Sequence, residues 1–139
     1  MNLAKELGAD LVLGKDDDVV KRILEATDGR GVDNSCEFSG SPAALSNAIH
    51  STRMGGYVNI LSVYGQTMTE IPMNEVVFRY LHLKGINGRK MWSTWDKMHV
   101  LLEQGSIDVD RILTHRMLVS EFEQGIALAL SGECGKVVL

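Results

Sequence analysis

The spacing of apolar positions predicts alternating helices and strands over the first 64 residues. Leu3 and Leu7 lie four residues apart, which is typical of one face of a short helix, and Gly8 follows as a stop signal. The next run, ADLVL (9–13), is typical of a short buried strand. Because a helix of about six residues is not stable by itself, we expect neighbouring structure to pack against the first helix.

The pattern continues with two more helices and two more strands. Three aspartates at 16–18 precede an apolar helical face, where negative charge stabilises the positive end of the helix dipole. Ser41 and Pro42 are typical of the N-cap and first position of the next helix. The predicted strands are GVDNSCEF (31–38) and YVNILSV (57–63). The predicted buried faces are Val20, Ile23, Leu24 and Thr27 in the first of these helices, and Ala44, Leu45, Ala48, Ile49 and Thr52 in the second. Such alternation favours a parallel sheet covered by crossover helices.

The alternation becomes less regular after Gly65. The sequence predicts helical turns over 74–79, a strand LHLKGIN (81–87), a helix ended by Gly105, an extended segment THRMLVS (114–120) and a final strand KVVL (136–139). Ser120 and Glu123 have the spacing of a capping box. The apolar faces expected to be buried are Trp95, Met98, Leu101 and Leu102, and then Phe122, Ile126, Ala127 and Leu130. We predict a domain over residues 1–110 and a separate C-terminal segment over 111–139.

Composition narrows the possible partners and compartment. The net charge of −4 gives no electrostatic reason to expect nucleic acid or an anionic membrane as a partner. No apolar run approaches the ~20 residues of a membrane span. Cys36 and Cys134 lie too far apart in sequence to indicate a disulfide framework, which favours the cytoplasm. Cys36 is predicted to be a small core residue of a buried strand.

Candidate chemistry lies where the predicted strands end. Ligands of parallel α/β sheets bind at the carboxyl ends of the strands, and small residues such as Ser39, Gly40 and Gly65 occur there. The two glycines could instead serve only tight turns. Glu37, next to a strand end, is either a functional carboxylate or a capping and positioning group. The sequence GRGVDN (29–34) lacks the last glycine of a phosphate loop and leads into a strand, so we reject it as one. The histidines and cysteines do not have the spacing of metal ligands.

Two long stretches carry a family resemblance. GVDNSCEFSGSPAALSNAIHSTRMGGYVNILSVYG (31–65) resembles the second half of the dinucleotide-binding domain of zinc-dependent medium-chain alcohol dehydrogenases. LKGINGRKMWSTWDKMHVLLEQGSIDVDRILTHRM (83–117) and SEFEQGIALALSGECGKVVL (120–139) resemble the C-terminal part of the threonine dehydrogenases within that family.

The resemblance implies an α/β fold with an incomplete doubly wound, Rossmann-like parallel sheet, followed by a short segment of the catalytic domain. ADLVL would be strand 3 of the order 3-2-1-4-5-6, with strands 1 and 2 absent. In this family an earlier part of the chain supplies the zinc ligands and the glycine-rich loop. We therefore expect a C-terminal fragment with no catalytic residue and no zinc ligand. The absence of strands 1 and 2 would leave a gap between strand 3 and strand 4. We therefore expect one of three outcomes: ADLVL pairs beside strand 4, another chain fills the gap, or residues 1–30 are loosely held.

The same resemblance implies a partial NAD site. The implied cofactor-binding residues are Glu37, Ser39, Gly40, Leu61, Ser62, Val63, Ile86 and Asn87. The first hypothesis is therefore part of an NAD-dependent threonine dehydrogenase that is inactive alone, binds NAD weakly and forms homo-oligomers through the strand at 81–87. The alternatives are a non-catalytic module that forms homo-oligomers through the strand at 81–87, or part of a sorbitol-type polyol dehydrogenase.

Overall fold

The computed structural model describes residues 2–14 and 16–139 and divides the chain into two compact units. One unit is Leu13–Gly88, and the other combines residues 2–12 with Arg89–Leu139. The division predicted at residues 110 and 111 stays a prediction.

The unit Leu13–Gly88 is built on a parallel sheet of three strands. The strands are β1 (Val32–Glu37), β2 (Thr52–Ile60) and β3 (His82–Gly85), in the spatial order β1-β2-β3. The helices are α2 (Val19–Ala26), α3 (Pro42–Ser51) and α4 (Met73–Phe78). This alternation confirms the predicted α/β class with a small Rossmann-like parallel sheet. β2 begins five residues before the predicted strand and includes Gly55 and Gly56, which were expected to lie outside it.

The core of this unit lies between α3 and one face of the sheet. Its buried apolar side chains are Leu45, Ile49, Val58 and Leu81. The predicted buried face of α3 is confirmed, because Leu45, Ile49 and Thr52 are buried and Ala44 and Ala48 are half-buried. Ser41 caps the helix, since its side chain accepts a hydrogen bond from the Ala44 N–H at 3.4 Å. The burial of these side chains follows the 3.6-residue helical period.

The opposite face of the sheet carries polar and aromatic side chains. The register places Asn34, Tyr57 and His82 in one cross-strand row, with the Tyr57 and His82 rings stacked at 4.5 Å. Cys36 lies on this face and is exposed, so its predicted place in the core is wrong. Because successive side chains of a strand point to opposite faces, the burial of Glu37 turns its neighbour Cys36 outward.

The segment ADLVL does not form the predicted strand. Residues 9–13 have no strand assignment, and 40% of Leu11 is exposed. A strand needs the backbone hydrogen bonds of a neighbour, and the three-stranded sheet contains only β1, β2 and β3. The prediction that ADLVL forms a strand is therefore wrong for this structure. The following helix α2 agrees better with its prediction, because Asp18 caps it and the face of Val20, Ile23, Leu24 and Thr27 is half-buried.

The second unit contains α1 (Asn2–Glu6), α5 (Ser93–Glu103), β4 (His115–Arg116), a 3₁₀ turn (Val119–Glu121), α6 (Phe122–Ser131) and β5 (Val137–Val138). β4 and β5 form a parallel pair. Leu3 of α1 lies close to Gly135, where an added Cβ would come within 3.1 Å of the leucine Cδ2. The short first helix therefore has the packing partner that its length requires.

The C-terminal helix buries a different face from the one predicted. Phe122, Ile126 and Leu130 are exposed, whereas Gly125 is buried. An added Cβ at Gly125 would meet the side chains of Val137 and Leu139 at 3.5 and 3.4 Å. Gly125, which has no side chain, is thus the position at which α6 approaches β5 closely. The predicted face was chosen from the spacing of the apolar side chains, so it did not include this glycine.

Two more local expectations in this unit are corrected. The predicted capping box of Ser120 and Glu123 is replaced by Glu121, whose carboxylate accepts the Leu118 N–H at 2.8 Å. The apolar face of α5 is exposed at Trp95, Met98, Leu101 and Leu102. Arg89 lies 5.0 Å from the Trp95 ring centroid, which is a cation–π contact between two exposed side chains.

Candidate functional site

The carboxyl ends of β1, β2 and β3 lie side by side. The register aligns Glu37 with Ile60, and Ile60 with Gly85. Backbone pairing continues past the strand ends, where the Leu61 N–H donates to the Glu37 carbonyl at 3.0 Å and the Ile86 N–H donates to the Ile60 carbonyl at 2.9 Å. The segments after the three strands therefore emerge at one edge of the sheet.

The carboxylate of Glu37 connects the first two of these segments. Its Oε1 accepts hydrogen bonds from the Ser39 N–H at 2.7 Å, the Ser39 hydroxyl at 2.6 Å and the Gly40 N–H at 3.1 Å. Its Oε2 accepts from the Ser62 hydroxyl and from the Tyr64 hydroxyl, the latter at 2.8 Å. Three donors come from the loop after β1 and two come from the loop after β2. We call these five residues, Glu37, Ser39, Gly40, Ser62 and Tyr64, the Glu37 cluster.

The environment of Glu37 favours its charged form. Only 2% of the residue is exposed, and burial alone would raise the pKa of a carboxylic acid. The hydrogen bonds from Ser39, Ser62 and Tyr64 outweigh this desolvation and lower the pKa of Glu37 from 4.5 to about 2. Burial and the adjacent carboxylate raise the pKa of Tyr64, so the phenol keeps its proton as a donor at neutral pH.

Gly40 is required by both its backbone and its surroundings. Its φ of +71° lies in the left-handed region, and an added Cβ would come within 2.7 Å of the Val63 carbonyl oxygen. The turn and the contact with Val63 account for Gly40, and the approach of a ligand to this glycine stays a prediction. At Gly65 an added Cβ would meet no described atom within 4 Å, so close approach does not explain that glycine.

Apolar side chains border the Glu37 cluster at the open edge of the sheet. Phe38 is 70% exposed, Leu61 39% and Val63 91%. Each is adjacent in sequence to a member of the cluster, so exposed apolar surface alternates with the polar network. Ile86 is half-buried and Asn87 is exposed beyond the end of β3. A flat ligand with a polar rim matches this mixture of apolar faces and backbone edges.

The structure places all eight of the predicted site residues at this edge. Glu37, Ser39, Gly40 and Ser62 share one hydrogen-bond network, while Leu61 and Ile86 continue the strand pairing. Their contact with a cofactor stays a prediction. Tyr64 was not among the residues predicted from the sequence. Its spacing of two residues from Ser62 was the available signal, because alternate residues of an extended segment point to the same side.

The described residues contain neither a metal-binding group of side chains nor a membrane-spanning helix. Within residues 2–14 and 16–139, no group of three or more His, Cys, Asp and Glu side chains is placed to hold a metal ion. Across the same ranges, no helix has the length and apolar character needed to cross a membrane.

The matching protein family accounts for this arrangement of strands and loops. Residues 1–104 match the model of the family described as zinc-binding dehydrogenase. This chain belongs to the zinc-binding dehydrogenase family. The predicted resemblance to zinc-dependent alcohol dehydrogenases is thereby confirmed.

Curated relatives are similar over almost the whole chain. The chain is 40% identical over 138 residues to an L-threonine 3-dehydrogenase from Bacillus velezensis. The matched region covers 99% of this chain and 40% of that relative. The chain is 38% identical over 138 residues to an L-threonine 3-dehydrogenase from Pyrococcus horikoshii, covering 98% of this chain and 40% of that relative. This member of the zinc-binding dehydrogenase family thus spans about 40% of the length of these relatives.

Solved dehydrogenase structures share the fold. The chain superposes on 2R,3R-butanediol dehydrogenase from Bacillus subtilis with a TM-score of 0.84 and 32% identity, covering 98% of this chain and 39% of that one. An alcohol dehydrogenase from Aeropyrum pernix gives a TM-score of 0.84 at 26% identity, covering 99% of this chain and 39% of that one. The predicted likeness to the C-terminal part of a zinc alcohol dehydrogenase is confirmed.

Proposed function

We propose that this chain supplies the nicotinamide end of the NAD site in a zinc-dependent dehydrogenase that oxidises the secondary alcohol of threonine. The observation that carries the proposal is the joined pair of loops after β1 and β2, fixed by Glu37 at the carboxyl edge of a parallel sheet. Ligands of open α/β sheets bind in the crevice outside this edge.

The residues of this edge would bind and orient the nicotinamide ring. The exposed faces of Leu61 and Val63 offer apolar contact, and the backbone from Leu61 to Val63 and at Ile86 and Asn87 offers hydrogen-bonding edges. Such contacts exclude water from one face of the ring and fix its orientation, which is what a protein contributes to hydride transfer. NAD, when bound, accepts the hydride.

Zinc belongs to the family but does not fit the described residues of this chain. These residues contain no group of three potential ligands, so their contribution is confined to the cofactor side. With only one end of the cofactor held, we expect this chain alone to bind NAD weakly and to produce no NADH from threonine. A cytoplasmic location is part of the same proposal.

The choice of threonine rests on sequence similarity. The relatives cited above with 38–40% identity are threonine dehydrogenases, whereas the butanediol dehydrogenase is 32% identical. A sorbitol-type polyol dehydrogenase is the alternative within the same chemistry. Both reactions transfer a hydride from a secondary alcohol to NAD, so the two substrates can be compared in one assay.

A chimera tests the proposal. This chain would replace the matching C-terminal segment of the Bacillus velezensis enzyme, which is 40% identical to it over 138 residues. We expect the chimera to form NADH from L-threonine and to prefer threonine to sorbitol, whereas the chain alone with added zinc forms none. The unaltered Bacillus enzyme is the positive control.

The proposal fails if a folded, zinc-loaded chimera shows no NAD-dependent oxidation of threonine, because its zinc ligands and glycine-rich loop come from an active enzyme. NADH formation by the isolated chain above a mock preparation would contradict the predicted inactivity. A chimera that prefers sorbitol would support the polyol alternative.

A second candidate function is pairing with another copy of the chain through β3. β3 lies at one edge of the three-stranded sheet, and an open strand edge favours pairing with another strand. Light scattering of the wild-type chain should then give a dimer mass. Gly85→Pro removes a backbone N–H from the open edge of β3, because the next N–H, that of Ile86, points the other way and donates to Ile60 of β2. This variant should give a monomer, and Gly85→Ala, which keeps the N–H, is the control. A wild-type monomer across micromolar concentrations would contradict this candidate.

A further inference from the structure

Glu37 is a buried carboxylate whose acceptor positions are all occupied by the chain itself. A carboxylate has about four lone-pair sites. Ser39 and Gly40 supply three donors to Oε1, and Ser62 and Tyr64 supply two donors to Oε2. With 2% of the residue exposed, neither oxygen is available to a ligand. Glu37 is also a weak base at neutral pH, because its pKa is about 2.

The donors to Glu37 belong to two loops that are far apart in sequence. Ser39 and Gly40 follow β1, whereas Ser62 and Tyr64 follow β2 after the whole of α3. The loops also touch at their backbones, where an added Cβ on Gly40 would come within 2.7 Å of the Val63 carbonyl oxygen. Any movement of one loop therefore breaks hydrogen bonds to a charged group shared with the other.

We propose that Glu37 is a positioning residue that holds the loops after β1 and β2 as one floor for the nicotinamide ring without touching the cofactor itself. This inference rests on the proposed function, and it changes the role predicted for Glu37 from a cofactor contact to a group that acts through Ser39, Gly40, Ser62 and Tyr64. A floor that is ordered before the ligand arrives loses less entropy on binding.

Two hydroxyl deletions in the second loop test whether the first loop depends on them. Tyr64→Phe and Ser62→Ala each remove one donor to Oε2 and leave the backbone donors of Ser39 and Gly40 in place. Tyr57→Phe is the matched control, because Tyr57 lies on the opposite face of the sheet and stacks on His82. Ser46→Ala, on helix α3, is the control for the serine change.

Amide hydrogen exchange measured by NMR on the full chain gives the first readout. We expect the Ser39 and Gly40 amides to exchange about tenfold faster in Tyr64→Phe and in Ser62→Ala, because a hydrogen bond to a charged group is lost. The two controls should leave these amides within about twofold of wild type, a change too small for such a hydrogen bond. Amides of Val58 and Asn59 in β2 serve as the internal reference and should not change. Unaltered exchange at Ser39 and Gly40 in both deletions would overturn the inference.

NAD⁺ titration of the same samples separates positioning from a merely structural role. We expect Tyr64→Phe to weaken NAD⁺ binding about tenfold and Tyr57→Phe to leave it unchanged, the loss again corresponding to one charged hydrogen bond. In Glu37→Gln the amide oxygen still accepts from Ser39 and Gly40 and its NH₂ can donate to the two hydroxyls, so binding should be largely retained.

The outcomes distinguish this inference from the function on which it rests. If wild type binds NAD⁺ and Tyr64→Phe binds it equally well, the positioning role is wrong and the proposed function stands. If wild type shows no NAD⁺ binding and the chimera with the Bacillus velezensis enzyme oxidises no threonine, the proposed function is wrong and the positioning role of Glu37 is wrong with it. Faster exchange in the first loop together with weaker binding supports both.

Discussion

Truncation of Ile49 should reveal how strongly the unit Leu13–Gly88 depends on its small core. Ile49 is 0% exposed and packs with Leu45, Val58 and Leu81. Ile49→Ala removes three carbons, and at about 0.8 kcal/mol for each buried methylene the transfer loss is roughly 2.4 kcal/mol. The cavity left between α3 and the sheet raises the expected loss to about 3–4 kcal/mol. Ile49→Val removes one carbon and should cost about 1 kcal/mol.

Urea unfolding followed by circular dichroism measures these losses. Small domains are stabilised by about 5 kcal/mol at the low end, so Ile49→Ala should leave a readily populated unfolded state at room temperature. Met68→Ala is the control, because Met68 is 83% exposed and its truncation should change the free energy of unfolding by less than about 0.5 kcal/mol. Equal midpoints for Ile49→Ala and Met68→Ala would refute the placement of the core.

Three further perturbations test other parts of the same unit. Because the folded-state pKa of Glu37 is lowered from 4.5 to about 2, the contribution of its charge to stability is complete above pH 4.5 and is lost as the pH falls toward 2. The difference in unfolding free energy between wild type and Glu37→Gln should therefore narrow from pH 6 to pH 3 in urea titrations. A difference that widens toward pH 3 would contradict the lowered pKa. Arg79 donates to the Ile49 and His50 carbonyls at the end of α3 at 3.3 and 3.1 Å, so Arg79→Met should cost about 1–3 kcal/mol of stability in the same assay and Arg79→Lys less. An unchanged free energy of unfolding in Arg79→Met would contradict a stabilising role for these contacts. Gly31→Ala should lower the free energy of unfolding by about 1–3 kcal/mol more than Gly29→Ala. Both glycines have a positive φ, but only at Gly31 would the new Cβ meet a backbone oxygen, that of Ser51 at 2.6 Å. Equal melting temperatures of the two variants would exclude this clash.

Residues whose environment is local were predictable from the sequence. The Ser41-Pro42 start of α3 and the face of Leu45 and Ile49 depend on helix capping and the 3.6-residue period, which a single segment contains. The Asp18 cap of α2 has the same local origin. The gathering of strand ends at one edge followed from parallel alternation, because that topology admits few arrangements.

Features that depend on distant partners were not predictable in the same way. ADLVL has the composition of a buried strand, but a strand forms only beside another strand, and the sheet here consists of β1, β2 and β3. Cys36 and Glu37 were assigned without knowledge of which face of β1 meets α3. The hydrogen bond between Tyr64 and Glu37 joins residues 27 positions apart, and no local pattern specifies such a pair.

The segments after β1, β2 and β3 are proposed to form one nicotinamide-binding edge. Titration of the ¹⁵N-labelled wild-type chain with NAD⁺ up to millimolar concentration, followed through its amide signals, tests this proposal. We predict saturable shifts that share one dissociation constant at Ser39, Gly40, Ser62, Val63 and Asn87, with the helix α6 unaffected. Shifts confined to residues 89–139, or no shift in any of the three segments, would contradict it.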